Sequence, residues 1–289
     1  ARDLMSALER GPLVCDGAMG TMLMASGVKA RCPEELNLIS PETVRAVHAA
    51  YVEAGANVIT TNSFGGSRHK LSKCDMADMA GEVNRAAARI AREAAGEDTL
   101  VAGSIGPLGE LLQPYGLIGE AEALTAFEEQ AQALAEGGVD FFIVETMFDL
   151  AEASAAVRAA ASTGLPVMAT MTFDSGGRTM MGVSPKQAVQ GLREAGATIV
   201  GANCGVGPDE TLSVVREMRL AGGGLWLAAQ PNAGVPALED GRTVYSIGPD
   251  EMARWAPSFL ASGVRILGSC CGSSPEHTRA IAGAIGMGQ

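Results

Sequence analysis

The stretch SPKQAVQGLREAGATIVGANCG, Ser184 to Gly205, puts a helix signal and a strand signal back to back. Ser184 is placed to cap a helix, the fixed φ of Pro185 suits its first position, and Gly196 suits its stop. The run that follows, ATIVGANCG from Ala197, is apolar without alternation and ends on Asn203, Cys204 and Gly205. A strand with no polar face is covered on both sides, as in a parallel sheet flanked by helices.

The same pair recurs in both directions along the chain. Strand-like runs are PLVCDGAMG from Pro12, NVITTNSFGG from Asn57, TLVAGSIGP from Thr99 and VDFFIVETM from Val139. LPVMATMTF from Leu165, GLWLAAQPNAG from Gly224 and VRILGSCCG from Val264 complete a set of eight with the run from Ala197. Helix signals follow them. SPETVRAVHAAYVEAGA runs from a cap at Ser40 to a stop at Gly55, and SPEHTRAIAGAIG starts at Ser274. GPDEMARWAPSFLASGV starts at Gly248, with a kink expected at Pro257. The segments 75–95, 120–136, 149–161 and 208–220 are rich in Ala, Glu and Arg at helical spacing. Eight strand–helix pairs in 289 residues predict an α/β fold, a (β/α)8 TIM barrel forming one domain over 1–289. The competing fold, a doubly wound open sheet, would carry G-x-G-x-x-G at its first turn, and DGAMGTMLMASG does not supply it.

Composition narrows the function classes. The chain is 47% hydrophobic with a net charge of −12, so it offers no basic stripe for nucleic acid or an anionic membrane surface. No apolar run reaches the roughly 20 residues a bilayer requires. The opening ARDLMSALERG has no signal-peptide hydrophobic region, and the chain reads as cytoplasmic. Its six cysteines follow no secreted framework and are expected to be thiols.

A barrel of this kind works at the C-terminal ends of its strands. The polar residues there are Asp16, Thr60 to Asn62, Ser104, Glu145, Thr172, Asn203, Cys204, Asn232, Cys270 and Cys271. They are far apart in sequence, and the barrel would gather them at one mouth. Three of them are cysteines: one after the sixth strand and two, side by side between glycines, after the eighth. Adjacent cysteines rarely bridge each other, because the ring is strained. They read either as small buried hydrophobes or as soft ligands sharing one metal ion with Cys204. Cys15, inside a strand, and Cys32 and Cys74, in loops, read as non-ligands, as do His48, His69 and His277, none of which ends a strand.

Three protein ligands leave one position open, the pattern of a catalytic zinc site. Three thiolates make that zinc a poor generator of hydroxide and a better holder of a fourth thiol as a reactive thiolate. The reaction so inferred is attack by a substrate thiol on an electrophilic carbon such as a methyl group. Asp16 and Glu145 are candidates to accept hydrogen bonds from a substrate ammonium. Backbone N–H groups around Gly17 and Ala18 are candidates for a carboxylate. Thr61 and Ser104 join them as candidate substrate contacts. Asp16 also fits turn chemistry before Gly17, and Asn232 in QPNAG fits either a turn or, through its amide oxygen, the vacant zinc position.

In order, DGAMGT, TNSFGG, GSIGP, ETMFD, GANCGVGP, PNAG and GSCCG make nearly the whole chain resemble the homocysteine methyltransferase domain. The resemblance implies zinc held by Cys204, Cys270 and Cys271, homocysteine near Asp16, Gly17 and Glu145, and methionine as product. PNAG after GANCGVGP is more similar to the homocysteine-binding domain of cobalamin-dependent methionine synthases than to the betaine or S-methylmethionine enzymes. That branch implies Asn232 close to the zinc. It also implies methylcobalamin as donor, carried on a separate corrinoid protein or domain rather than bound by this domain alone. The sequence shows no corrinoid or pterin module, so it is expected to be either an excised domain or a short enzyme served by a separate corrinoid protein. Three alternatives remain open: donation by betaine or S-methylmethionine, methyl transfer to a corrinoid protein, and a thiol- or zinc-binding module without activity.

Overall fold

The computed structural model describes residues 3–239 and 242–286. From the N-terminus the elements are α1 (Leu4–Arg10), β1 (Leu13–Val14), α2 (Met19–Ala25), α3 (Leu36–Ile39), α4 (Pro41–Glu53), β2 (Val58–Thr60), α5 (Arg68–Ser72) and α6 (Ala80–Ala95). Then come β3 (Leu100–Ile105), α7 (Glu120–Gly137), β4 (Phe141–Met147), α8 (Leu150–Ala161), β5 (Val167–Met171), α9 (Pro185–Ala195), β6 (Ile199–Asn203) and α10 (Pro208–Ala221). The last are β7 (Trp226–Gln230), β8 (Ala237–Glu239), β9 (Arg242–Val244), α11 (Pro249–Ala261), β10 (Val264–Leu267) and α12 (Pro275–Ala284).

Among the described residues, eight strands pair in parallel in the order β1-β10-β7-β6-β5-β4-β3-β2. A parallel bridge between Cys15 and Val58 brings the two ends of that order together, and the sheet curls into a (β/α)8 barrel. All eight expected runs are strands of it. Residues 1, 2, 240, 241 and 287–289 of the expected domain lie outside the described residues.

The strands lack a polar face because both faces are packed. Cys15, Val58, Ala102, Phe141, Ile143, Met168, Ile199, Ala228 and Ile266 fill the inside of the barrel. A larger apolar layer, with Val101, Phe142, Val144, Ala169, Val200 and Ala229, lies between strands and helices. Leu4 and Leu8 of α1 join the inner cluster, so this first helix plugs the barrel from below. Asp3 starts it by accepting the Met5 N–H at 3.0 Å.

Helix grammar is realised at α9, where Ser184 Oγ accepts the Gln187 N–H and Gln187 Oε1 accepts the Ser184 N–H, a reciprocal cap. It is altered at α4. Ser40 precedes Pro41 as expected, but its hydroxyl meets Glu42 and Thr43 side chains instead of a backbone N–H. The helix expected from Asp75 starts at Ala80, because Asp75 sits at φ +56, outside the right-handed region. Pro257 lies inside α11, which runs on to Ala261. β8 and β9 form an antiparallel hairpin between β7 and α11, in a stretch the sequence leaves unassigned.

Candidate active site

At the C-terminal mouth lies a cavity of about 340 Å3, lined by Asp16, Gly17, Ala18, Thr60, Thr61, Ser104, Glu145, Cys204, Cys270 and Cys271 among others. Nearly all the expected site residues therefore meet. Thr172 lies in the neighbouring cleft, and Asn232 stands behind the cysteine turn.

The sulfur atoms of Cys204, Cys270 and Cys271 all lie within 4.8 Å of one another. Cys204 Sγ and Cys271 Sγ are 3.9 Å apart. Sulfurs on a tetrahedral ion at about 2.3 Å would stand about 3.8 Å from each other, close to the separation of the Cys204 and Cys271 sulfurs, and the Cys270 sulfur lies close enough to share the same ion. Backbone contacts hold it there. Cys204 sits at φ +58, a strained conformation for a residue with a side chain, and its N–H donates to Gln230 O at 3.0 Å. Cys270 N–H donates to Pro231 O at 2.8 Å, and Ala233 N–H to Cys271 O at 3.0 Å. Asn232 is buried, and its Oδ1 accepts the Cys271 N–H at 3.1 Å. The PNAG turn and the two-cysteine turn thus brace each other. Cys204 Sγ, 3.9 Å away, and the neighbouring Cys270 sulfur hold the Cys271 thiol well below the ordinary cysteine value. Cys270, engaged with both other thiols, is pushed up.

Two carboxylates line the same cavity. Asp16 is buried; its Oδ2 accepts the Thr60 N–H at 2.7 Å, and Thr60 Oγ1 lies 3.1 Å from both its oxygens. Burial nevertheless raises its pKa to about 7. Glu145 Oε1 accepts the Ser104 hydroxyl at 2.6 Å, and burial raises Glu145 to about 7 as well. A carboxylate held at this cost is one awaiting a cationic partner. Gly17 is confined: a Cβ there would come within 2.4 Å of Ser273 Oγ. The Ala18 N–H donates to that same hydroxyl at 3.1 Å. Thr61 lines the cavity, but its Oγ1 shares a 2.6 Å hydrogen bond with Ser63 and accepts the Ser104 N–H, so it braces β3.

Asn203, expected among the strand-end polar residues, is used inside the chain, whereas Ser269 and Gln230 carry no signal in the sequence. Asn203 bridges Thr146 and Thr170 through its amide and stands 3.9 Å from Cys270 Sγ. Ser269 Oγ and Gln230 Oε1 line the cavity buried and without a partner among the described residues, as groups that meet a polar ligand do. Beside the cavity, sharing Phe64 and Thr146 with it, a cleft of about 640 Å3 is walled by Phe64, Phe148, Phe173, Met180 and Val235.

The other cysteines and the histidines sit elsewhere. Cys15 is buried in the barrel. Cys32 and Cys74 lie against Met76 and Leu71. His48 is buried in α4, pushed down to about 4 and so neutral. His277 bridges Ser274 and Ile247 O, and His69 pairs with Glu122 on the surface. Among the described residues no helix is long and apolar enough to cross a membrane.

A family model described as homocysteine S-methyltransferase matches residues 13–285. The methionine synthases of Mycobacterium tuberculosis and Mycobacterium leprae are each 33% identical, over 303 and 304 residues. Those alignments take in 98% of this chain and 25% of each relative, so the chain spans about a quarter of their length. The metallated form of the homocysteine methyltransferase MmuM from Escherichia coli superposes with a TM-score of 0.82, covering 97% of this chain and 99% of that one at 22% identity.

Proposed function

The chain belongs to the homocysteine S-methyltransferase family, and on that premise we propose that it methylates the thiol of homocysteine to give methionine, using zinc held by Cys204, Cys270 and Cys271. The observation that carries the reading is the meeting of three sulfurs from two distant loops with the buried Asp16 and half-buried Glu145 carboxylates in one cavity. Bound there, zinc would keep the substrate thiol deprotonated, and so nucleophilic, near neutral pH. Asn232 Oδ1 has a second lone pair beside the one that accepts the Cys271 N–H, and is the proposed fourth ligand before substrate enters.

The chain's own groups do the orienting. Asp16 and Glu145 take the substrate ammonium, with Ser104 fixing the Glu145 carboxylate. Gly17, Ala18 and Thr61 line the same cavity, and the substrate carboxylate lies against the Gly17–Ala18 turn, where the Ser273 hydroxyl that accepts the Ala18 N–H can turn its own proton to it. The substrate sulfur then attacks the donor's methyl carbon. A carbon–sulfur bond forms, the bond from methyl to its carrier breaks, and the electron pair leaves with the carrier. The cleft walled by Phe64, Phe148 and Phe173 gives the carrier an apolar approach to the sulfurs.

The proposed carrier is methylcobalamin on a separate corrinoid module. Likeness to methionine synthases four times as long as this chain supports it. A donor panel read out as methionine, with zinc measured on the same sample, tests the reading. Methionine from a methylcobalamin-loaded corrinoid protein is expected. Equal turnover with betaine or S-methylmethionine would move the donor assignment, and zinc-loaded protein inert with every donor would leave a binding module.

Binding should also depend on pH in a defined direction. Asp16 and Glu145 both have pKa values raised to about 7, so acidification protonates them and removes the charge that an ammonium needs. Methionine, which has the ammonium but no thiol to ionise, should bind more weakly as pH falls through about 7 and level off above it. Calorimetric titration with methionine across that range would show a flat profile if the two carboxylates take no part.

A further inference from the structure

Ser269 stands just before the paired cysteines, and no other group of the described chain uses its hydroxyl. The residue is 2% exposed and lines the cavity, and its Oγ has no partner among the described residues. Two contacts fix where that oxygen lies. The Ser269 N–H donates to Asp16 O at 3.4 Å, which ties the residue to the loop after β1. A Cβ built on Gly17 would stand 3.1 Å from Ser269 Oγ, so the hydroxyl lies against the Gly17–Ala18 turn.

The hydroxyls of Ser273 and Tyr51 crowd the same spot beside Gly17, but both are engaged. Ser273 donates to Cys270 O at 2.7 Å while it accepts the Ala18 N–H at 3.1 Å. Tyr51 donates to Ala18 O at 3.3 Å. Ser273 can turn its proton to a ligand only by releasing Cys270 O, whereas Ser269 releases nothing. A buried hydroxyl left unpaired destabilises the fold, and a ligand that pairs it removes that penalty.

The chemistry of the unpaired group says what it would meet. Gln230 Oε1, the other unpartnered oxygen of the cavity, can only accept, and so cannot hold an anion. A hydroxyl can donate, and a hydrogen bond donated to a carboxylate is among the stronger ones. We propose that Ser269 Oγ donates to the carboxylate of the bound amino acid and makes that group a requirement of binding. The site then takes thiols that are α-amino acids and discriminates against amino thiols that lack the carboxylate. The inference rests on the homocysteine reading above and adds to it a residue that selects among thiols.

The test pairs the residue with the ligand group that it is to hold. Homocysteine and 3-mercaptopropylamine, which is homocysteine without its carboxylate, share the thiol and the ammonium. Calorimetry gives the dissociation constant of each on the zinc-loaded unaltered chain and on Ser269→Ala, with zinc content read on the same samples. Homocysteine should bind Ser269→Ala about 10–150-fold more weakly, the range for losing a hydrogen bond to a charged group, while 3-mercaptopropylamine changes by less than about twofold. A turn merely loosened by the substitution would weaken both ligands alike. Ser269→Gly should repeat the result, and serves where alanine disturbs the cysteine turn. Equal losses for the two thiols, no loss for homocysteine, or loss of zinc from both variants would overturn the inference. An unaltered chain that binds neither thiol would instead sink the homocysteine reading beneath it.

Discussion

Cys204→Ala protein should be purified with only a small fraction of the zinc that the unaltered chain carries, and should form no methionine. Cys270 and Cys271 are neighbours on one turn, while Cys204 is the single sulfur that reaches them from the end of β6. Without it, two ligands face a half-open site. Loss of a group that merely supports a metal ligand costs about 10–100-fold in affinity, and loss of a ligand itself should exceed that. The fold should survive, because Cys204 is half-buried at a loop position and alanine can occupy the same backbone conformation at similar strain. Metal analysis and a thermal melt on one sample separate the two effects. A full equivalent of zinc on Cys204→Ala would remove this sulfur from the site.

Glu145→Gln should bind homocysteine about 10–150-fold more weakly than the unaltered chain, the range expected for losing about 1.5–3 kcal/mol of hydrogen bonding to a charged group. The amide is close in size to the carboxyl, and its oxygen can still accept the Ser104 hydroxyl that now bonds Glu145 at 2.6 Å. What disappears is the negative charge facing the ammonium. Zinc content should not change. A homocysteine affinity equal to that of the unaltered chain would mean that the ammonium is held elsewhere, with Asp16 as the remaining carboxylate.

The barrel was legible because each strand is packed on two sides. Val200 faces the helices and Ile199 the interior, so IVGAN shows no alternation to confuse with an exposed sheet. The gathering of Asp16, Glu145 and the three cysteines followed from the fold alone, since each lies in or just beyond the C-terminal end of a strand. Other parts left no local mark. The helix Leu4–Arg10 declares itself only through Leu4 and Leu8, which are apolar for the sake of the barrel's floor. Tyr245 belongs to a hairpin whose strands cross no repeat boundary, and only its seat on Gly272 reveals its place. Asn203 looks like a strand-end polar residue, yet its amide is spent on Thr146 and Thr170. Asp75 reads as helical until its positive φ breaks the chain there. Asp75 apart, where its own backbone conformation decides, a contact distant in sequence fixes the role, and a local pattern cannot carry it.

X-ray absorption at the zinc edge of the purified chain tests the metal centre most directly. Three sulfur neighbours at about 2.3 Å, completed by one lighter atom in the absence of homocysteine and by a fourth sulfur in its presence, are the expected result. A spectrum with fewer than three sulfurs around the ion, or one that homocysteine leaves unaltered at saturation, would contradict it.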